Sequence, residues 1–130
     1  MGTRGTIHII DGKSCLCSIY RQYDTYPTGL GQELKTFLSN ATVINGFSGD
    51  DVAPEKFNGM GCLAAWLIGQ LKNGIGNVYM TTKTDRQEYN YFISESETGF
   101  IQLKLTDWQN KVIYKGLLKY FDAKKVEGRE

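Results

Sequence analysis

The chain has 130 residues, 41% hydrophobic and 12% aromatic, with 15 Lys and Arg against 14 Asp and Glu for a formal net charge of +1. That length predicts one domain, and that apolar content supports a packed core and excludes a disordered chain. The near-balance of charge removes any global attraction to polyanions, so neither DNA nor RNA is expected as a partner.

The three cysteines, Cys15, Cys17 and Cys62, form an odd, low count without the spacing of a disulfide framework. A zinc site takes about four ligands and the chain has a single histidine, His8, so no metal and no cofactor are expected. No long apolar core opens the sequence, so a cytoplasmic setting is expected, and no segment predicts membrane association. Met1-Gly2-Thr3-Arg4-Gly5-Thr6 fits the loose myristoylation pattern, but a strand begins almost at once and leaves little free arm for a lipid.

Thr6 to Ile10 is a β-branched run, followed by Asp11-Gly12 and then Ser14 to Tyr20, which predicts a hairpin. Strict alternation puts Cys15, Cys17 and Ile19 on one face of its second strand, with the two cysteines read as small core residues. His8 falls inside the hairpin and reads as a cross-strand pair member rather than a catalytic base.

Arg21 to Gly31 connects strand to helix and is dense in polar and aromatic groups. Pro27 holds Tyr26 extended and suits a helix edge, and Thr28 is placed to cap a helix running about Leu30 to Leu38. Ser39 to Asn58 is the longest irregular stretch, rich in turn chemistry at Asn45-Gly46, Ser48-Gly49, Asp50-Asp51 and Pro54. Val43, Ile44, Phe47, Val52 and Phe57 predict that it is pinned to the body. Gly59 to Gly74 carries no charge before Lys72 and is apolar around the whole helical wheel, which predicts a buried central helix stopped by Asn73-Gly74. A helix so apolar in so small a chain suggests cover from a second subunit, hence a homo-oligomer.

Strands are predicted at Val78 to Thr82, Glu88 to Ser94, Phe100 to Leu105 and Lys111 to Tyr114, with Leu117 to Phe121 docking a short terminal helix. Strands and helices cluster instead of alternating. The fold class is therefore α+β: an N-terminal β-hairpin, two helices with the second central and buried, and a C-terminal antiparallel meander in one mostly antiparallel sheet. Residues 1–125 form the domain and 126–130 a loose tail.

The strongest candidate site is the Arg21–Gly31 connection. Arg21 suits an anionic oxygen pair, Tyr23 and Tyr26 suit a stacked ring, and Asp24 completes a polar cluster. Gly29 and Gly31 allow close approach to a helix start, where free N–H groups favour a phosphate. Asn58, Gly59 and Gly61 open the second helix in the same manner, without the third glycine of a dinucleotide fingerprint. The competing reading makes these glycines packing devices and pairs Arg21 with Asp24. Catalytic constellations are poor, since no Ser or Cys nucleophile has a partner beyond His8 and the acidic pair Asp50-Asp51 reads as turn-forming.

Thr3-Arg4-Gly5, the run Tyr20-Arg21-Gln22-Tyr23-Asp24-Thr25-Tyr26-Pro27-Thr28-Gly29-Leu30 and the segment Asn58 to Ala64 resemble a group of small proteins of phage, other viral and microbial genomes. That group shares a Thr-Arg opening, a hairpin and a Tyr-Arg/His…Asp-x-Tyr-Pro-x-Gly connection, and the resemblance spans about the first 70 residues. It implies a viral origin and no activity that transfers to a residue. By analogy with viral proteins of this size, it suggests counter-defence by sequestering a nucleotide immune signal. The leading expectation is thus a non-enzymatic binding module for a small phosphorylated or nucleotide-like ligand, in the host cytoplasm if viral. The alternatives are an inhibitor or adaptor of a host protein, acting through the Ser39–Asn58 loop, and a phosphodiester or ADP-ribose hydrolase using Asp24, His8 or Asp50.

Overall fold

A computed structural model describes residues 2–46, 56–82 and 87–128. Strand β1 (Gly5–Asp11) turns through Gly12, whose φ of 61° is the left-handed conformation that Asp-Gly turns require, into β2 (Ser14–Arg21). A π turn (Pro27–Gly31) leads into α1 (Gln32–Leu38). Two three-residue strands, β3 (Thr42–Ile44) and β4 (Lys56–Asn58), precede α2 (Gly59–Leu71). Strands β5 (Val78–Thr81), β6 (Tyr89–Glu95), β7 (Ile101–Asp107) and β8 (Val112–Leu117) follow. A 3₁₀ turn (Leu118–Tyr120) and α3 (Ala123–Gly128) close the chain.

The architecture is α+β, as the clustering of strands and helices predicts. Six strands form one sheet in the order β5-β2-β1-β6-β7-β8, and β3 and β4 form a small parallel pair of their own. All neighbours in the large sheet are antiparallel except β1 and β6, which run parallel with Ile7 opposite Tyr91. Hairpin and meander are thus joined by a pairing between residues more than eighty positions apart.

Alternation along the strands sorts the sheet into two faces. Ile7, Ile9, Ile19, Tyr91, Ile93, Leu103 and Leu105 enter the core with Leu30, Leu34 and Leu38 of the first helical segment and Leu63 and Leu67 of α2. The opposite face carries Thr6, His8, Ser18, Asn90 and Thr106, polar and yet buried. Val43 and Phe57 are buried, so both ends of the Ser39–Asn58 stretch are pinned to the body as expected. Phe47, the Ser48-Gly49 and Asp50-Asp51 turns, Val52, Pro54 and Glu55 lie outside the described residues, as does most of the polar turn from Lys83.

Four local expectations are corrected. A bulge opposite Ile9 and Ile10 pairs them with Cys17 and Cys15 and leaves Leu16 as the extra residue. Cys15 therefore lies on the face of Ser18, exposed, while Cys17 is half-buried against the core. The helix α2 is buried on one side only: Met60, Leu63, Ala64, Leu67 and Leu71 face inward and Gly61, Cys62, Ala65 and Gly69 face solvent. Those outer residues count as apolar but carry little area, so their exposure costs little. Its last residue is Leu71, ahead of the predicted stop, because Lys72 is extended and its ammonium donates to the carbonyls of Gly76 (3.0 Å) and Val78 (2.8 Å). Finally, residues 126–128 are no tail, since they belong to α3 and Val126 is in the core.

No helix among the described residues is long and apolar enough to cross a membrane.

Candidate functional site

The Arg21–Gly31 connection is held by the protein's own groups. Arg21 lies at the end of β2, is 7% exposed, and donates from Nη2 to Glu33 of α1 at 2.7 Å and from Nε to the carbonyl of Tyr23 at 3.0 Å. Its partner is thus Glu33 and not Asp24. Asp24 adopts a φ of 59° and accepts the Tyr26 phenol on Oδ1 at 3.3 Å. The neighbouring Asp24 carboxylate raises the Tyr26 pKa above the ordinary tyrosine value.

The backbone donors at the start of the helical segment are also engaged. Gly29 N–H donates to the carbonyl of Tyr26 at 2.8 Å and Leu30 N–H to that of Asp24 at 2.9 Å. Thr28 does not cap this helix. Its hydroxyl crosses to Glu127 of α3 at 2.8 Å, because the π turn sets the chain against the C-terminal helix. A methyl group at Gly29 would collide with the Asp24 carbonyl, and one at Gly31 would stand 2.9 Å from the Phe121 ring and 3.2 Å from the Tyr91 hydroxyl. These glycines allow close approach, but what approaches is the protein itself. Tyr91 Oη seals the arrangement by donating to the carbonyl of Thr25 at 2.7 Å.

Asn58, Gly59 and Gly61 stand elsewhere, at the start of α2 over β1, β3 and β4, whereas the π turn packs against α1 and α3. Asn58 does not cap the helix, since its Oδ1 accepts the N–H of Gly46 at 2.7 Å. Gly59 has a φ of 84°, and Gly61 faces open space. The two helix starts therefore do not combine into one cradle.

Tyr23 is exposed, as are Asp24 and Asn58, and unlike them it has no side-chain hydrogen bond among the described residues. It is 46% exposed and lines a shallow hollow of about 280 Å³ with Gly2, Arg4 and Gln22. Among the described residues the Arg4 guanidinium has no hydrogen-bond or ion-pair partner; only its backbone is engaged, the N–H donating to the Glu88 carboxylate at 3.4 Å and the carbonyl accepting the N–H of Tyr89 at 3.4 Å. Gln22 is held in place from both sides of the strand end: its backbone N–H donates to the carbonyl of Asn77 at 2.9 Å, and its Oε1 accepts the N–H of Asn77 at 3.0 Å. The hollow thus presents a cation and a phenol without side-chain partners among the described residues, carried on a braced strand end. Sequence reasoning singled out Arg21 for this role and missed Arg4. The available signal was the alternation around β1, which leaves Arg4 just before the strand with no acid nearby in sequence.

Two of the three residues considered for hydrolysis, Asp24 and His8, stand apart among the described residues. Asp24 contacts Tyr26, Asp50 lies outside the described residues, and His8 is buried among Thr6, Ser18 and Phe92, with no carboxylate among its contacts. Among the described residues no group of three or more His, Cys, Asp or Glu is placed to hold a metal ion. No protein-family model, no curated protein and no solved structure matches this chain.

Proposed function

We propose that this chain binds a small phosphorylated, ring-bearing ligand of the nucleotide type in the hollow of Gly2, Arg4, Gln22 and Tyr23. The observation that carries this reading is the Arg4 guanidinium, without a partner among the described residues, lining one hollow with the exposed Tyr23. A guanidinium forks onto phosphate oxygens, and a phenol stacks on a base at little entropic cost. The missing bulk at Gly2 matters too, since a Cβ there would run into Tyr23 and close the hollow from below. A volume of about 280 Å³ admits part of a nucleotide and leaves the remainder in solvent, which favours recognition over chemistry. Capture of a nucleotide signal, the role suggested by the resemblance to viral proteins, is the cellular use that this reading fits.

Calorimetric titration of the full chain with inorganic phosphate and with linear and cyclic nucleotides tests the proposal. Binding of at least one nucleotide, weakened about tenfold or more by Arg4→Ala and by Tyr23→Ala but little by Gly61→Ala, is the expected result. Absence of heat across the panel, on protein with native circular dichroism, overturns it. Native mass spectrometry of the same sample reports the subunit count and so tests the homo-oligomer that the exposed side of α2 invites.

A further inference from the structure

The solvent-side face of the sheet holds a hydrogen-bonded chain that runs through four side chains on three strands. Asn90 of β6 donates from Nδ2 to the carbonyls of Gln87 (3.0 Å) and Asp107 (3.4 Å), which turns its Oδ1 towards β1. That oxygen accepts the N–H of Gln87 at 3.1 Å and the hydroxyl proton of Thr6 at 2.7 Å. Thr6 has one proton, and Asn90 takes it. Towards His8 Nε2, at 2.9 Å, Thr6 therefore acts as acceptor, and the imidazole proton sits on Nε2. A neutral ring so oriented presents a bare Nδ1, and Ser18 Oγ stands 2.8 Å from it. The Ser18 hydroxyl proton thus points at a nitrogen base.

Burial strengthens this arrangement. His8 is 4% exposed and stacked on Phe92 with ring centroids 4.8 Å apart, so its ring has one orientation. Desolvation lowers its pKa from the usual histidine value, so Nδ1 is unprotonated at neutral pH. Ser18 also lines a hollow of about 540 Å³ with Leu16, Cys17, Met80, Thr81 and Thr82. Leu16 and Met80 are 45% and 57% exposed, and no cationic side chain is among the described residues that line it. The exposed Leu16 and Met80 suit an uncharged, apolar acyl group.

We infer that Ser18 is a nucleophile for small carboxylic esters, with His8 as its general base and Thr6 and Asn90 as positioning residues. Ser18 Oγ attacks the ester carbon and its proton passes to His8 Nδ1. The C–O bond to the alcohol breaks, and that alcohol leaves with the proton from His8. Water, with His8 again as base, then cleaves the acyl-serine to the acid and free Ser18. The relay ends on a neutral amide instead of a carboxylate, so His8 gains orientation from it but little stabilisation of its charged form. A slow reaction follows from that. This site shares no residue with the Arg4–Tyr23 hollow and does not depend on the ligand proposed there.

The test is labelling of the full chain with a short alkyl fluorophosphonate, in which a serine oxygen displaces fluoride from phosphorus, followed by peptide mapping. One adduct on Ser18 is expected, formed at least about tenfold more slowly in His8→Asn and in Thr6→Val and at near the original rate in Thr6→Ser. A purely structural network predicts that these variants lower the unfolding midpoint without any adduct forming in the parent chain. No adduct on Ser18 in the unaltered protein overturns the inference, whatever the variants do. An adduct that forms equally fast in folded His8→Asn overturns the role of His8. Should His8→Asn fail to fold, the comparison of Thr6→Val with Thr6→Ser decides that role.

Discussion

Arg21 and Glu33 form an ion pair of 2.7 Å between the end of β2 and the first turn of α1, with the arginine side chain 8% and the glutamate side chain 42% exposed. The pair fastens the hairpin to the first helix across the connection that the sequence marks as a binding loop. An arginine this deeply placed keeps its charge only while its donors are satisfied.

Removing the carboxylate tests that assignment. Glu33→Ala is expected to destabilise the fold by about 1–2 kcal/mol, between the values for surface pairs and fully buried ones. Arg4→Ala, which breaks no pair among the described residues, is expected to change stability by less than about 0.5 kcal/mol. Urea unfolding of the two variants gives both numbers, and equal effects would place Arg21 outside the supporting frame.

The glycines of the two helix starts are expected to respond in opposite directions. At Gly31 a methyl group meets the Phe121 ring at 2.9 Å, between aromatic side chains that are fully buried, so Gly31→Ala is expected to cost about 1–3 kcal/mol. At Gly61 the same methyl group meets nothing within 4 Å on an exposed helical face, and Gly61→Ala is expected to gain about 0.5–1 kcal/mol. Thermal unfolding midpoints that fall for the first and rise for the second confirm this division.

Stability is expected to depend on pH through His8. Its folded pKa lies below the unfolded value near 6.5, because burial disfavours the charged ring. The unfolded chain therefore takes up the proton first as pH falls. The contribution is fully present above about pH 6.5 and is lost below it, towards the folded pKa. Unfolding midpoints measured from pH 8 down to pH 5.5 are expected to be flat and then fall, and His8→Gln is expected to remove the fall.

Thr106 of β7 is 2% exposed, and its Oγ1 has no hydrogen-bond partner among the described residues. Thr106→Val replaces that hydroxyl with a methyl group of similar size and removes an unmet desolvation cost. The expected gain is about 1 kcal/mol, read as a higher urea midpoint with an unchanged slope. A loss of stability would mean that the hydroxyl is satisfied in solution.

Much of the fold is written locally. Asp11-Gly12 between β-branched runs specifies the hairpin, and the alternation Ile101, Leu103, Leu105 against Gln102 and Lys104 specifies which side of β7 is buried. Turn chemistry and the period of two are properties of neighbouring residues, so they are legible without coordinates. Partner choice is not local. Whether Arg21 or Arg4 is free depends on where α1 carries Glu33, and the bulge that moves Cys15 beside Ser18 depends on how β1 and β2 settle their register. The line Ser18–His8–Thr6–Asn90 exists because β6 joins β1 in parallel, which brings together side chains 84 positions apart. Local periodicity decides which residues are inside. Long-range pairing decides which polar groups meet there, and with that where free chemistry is left over.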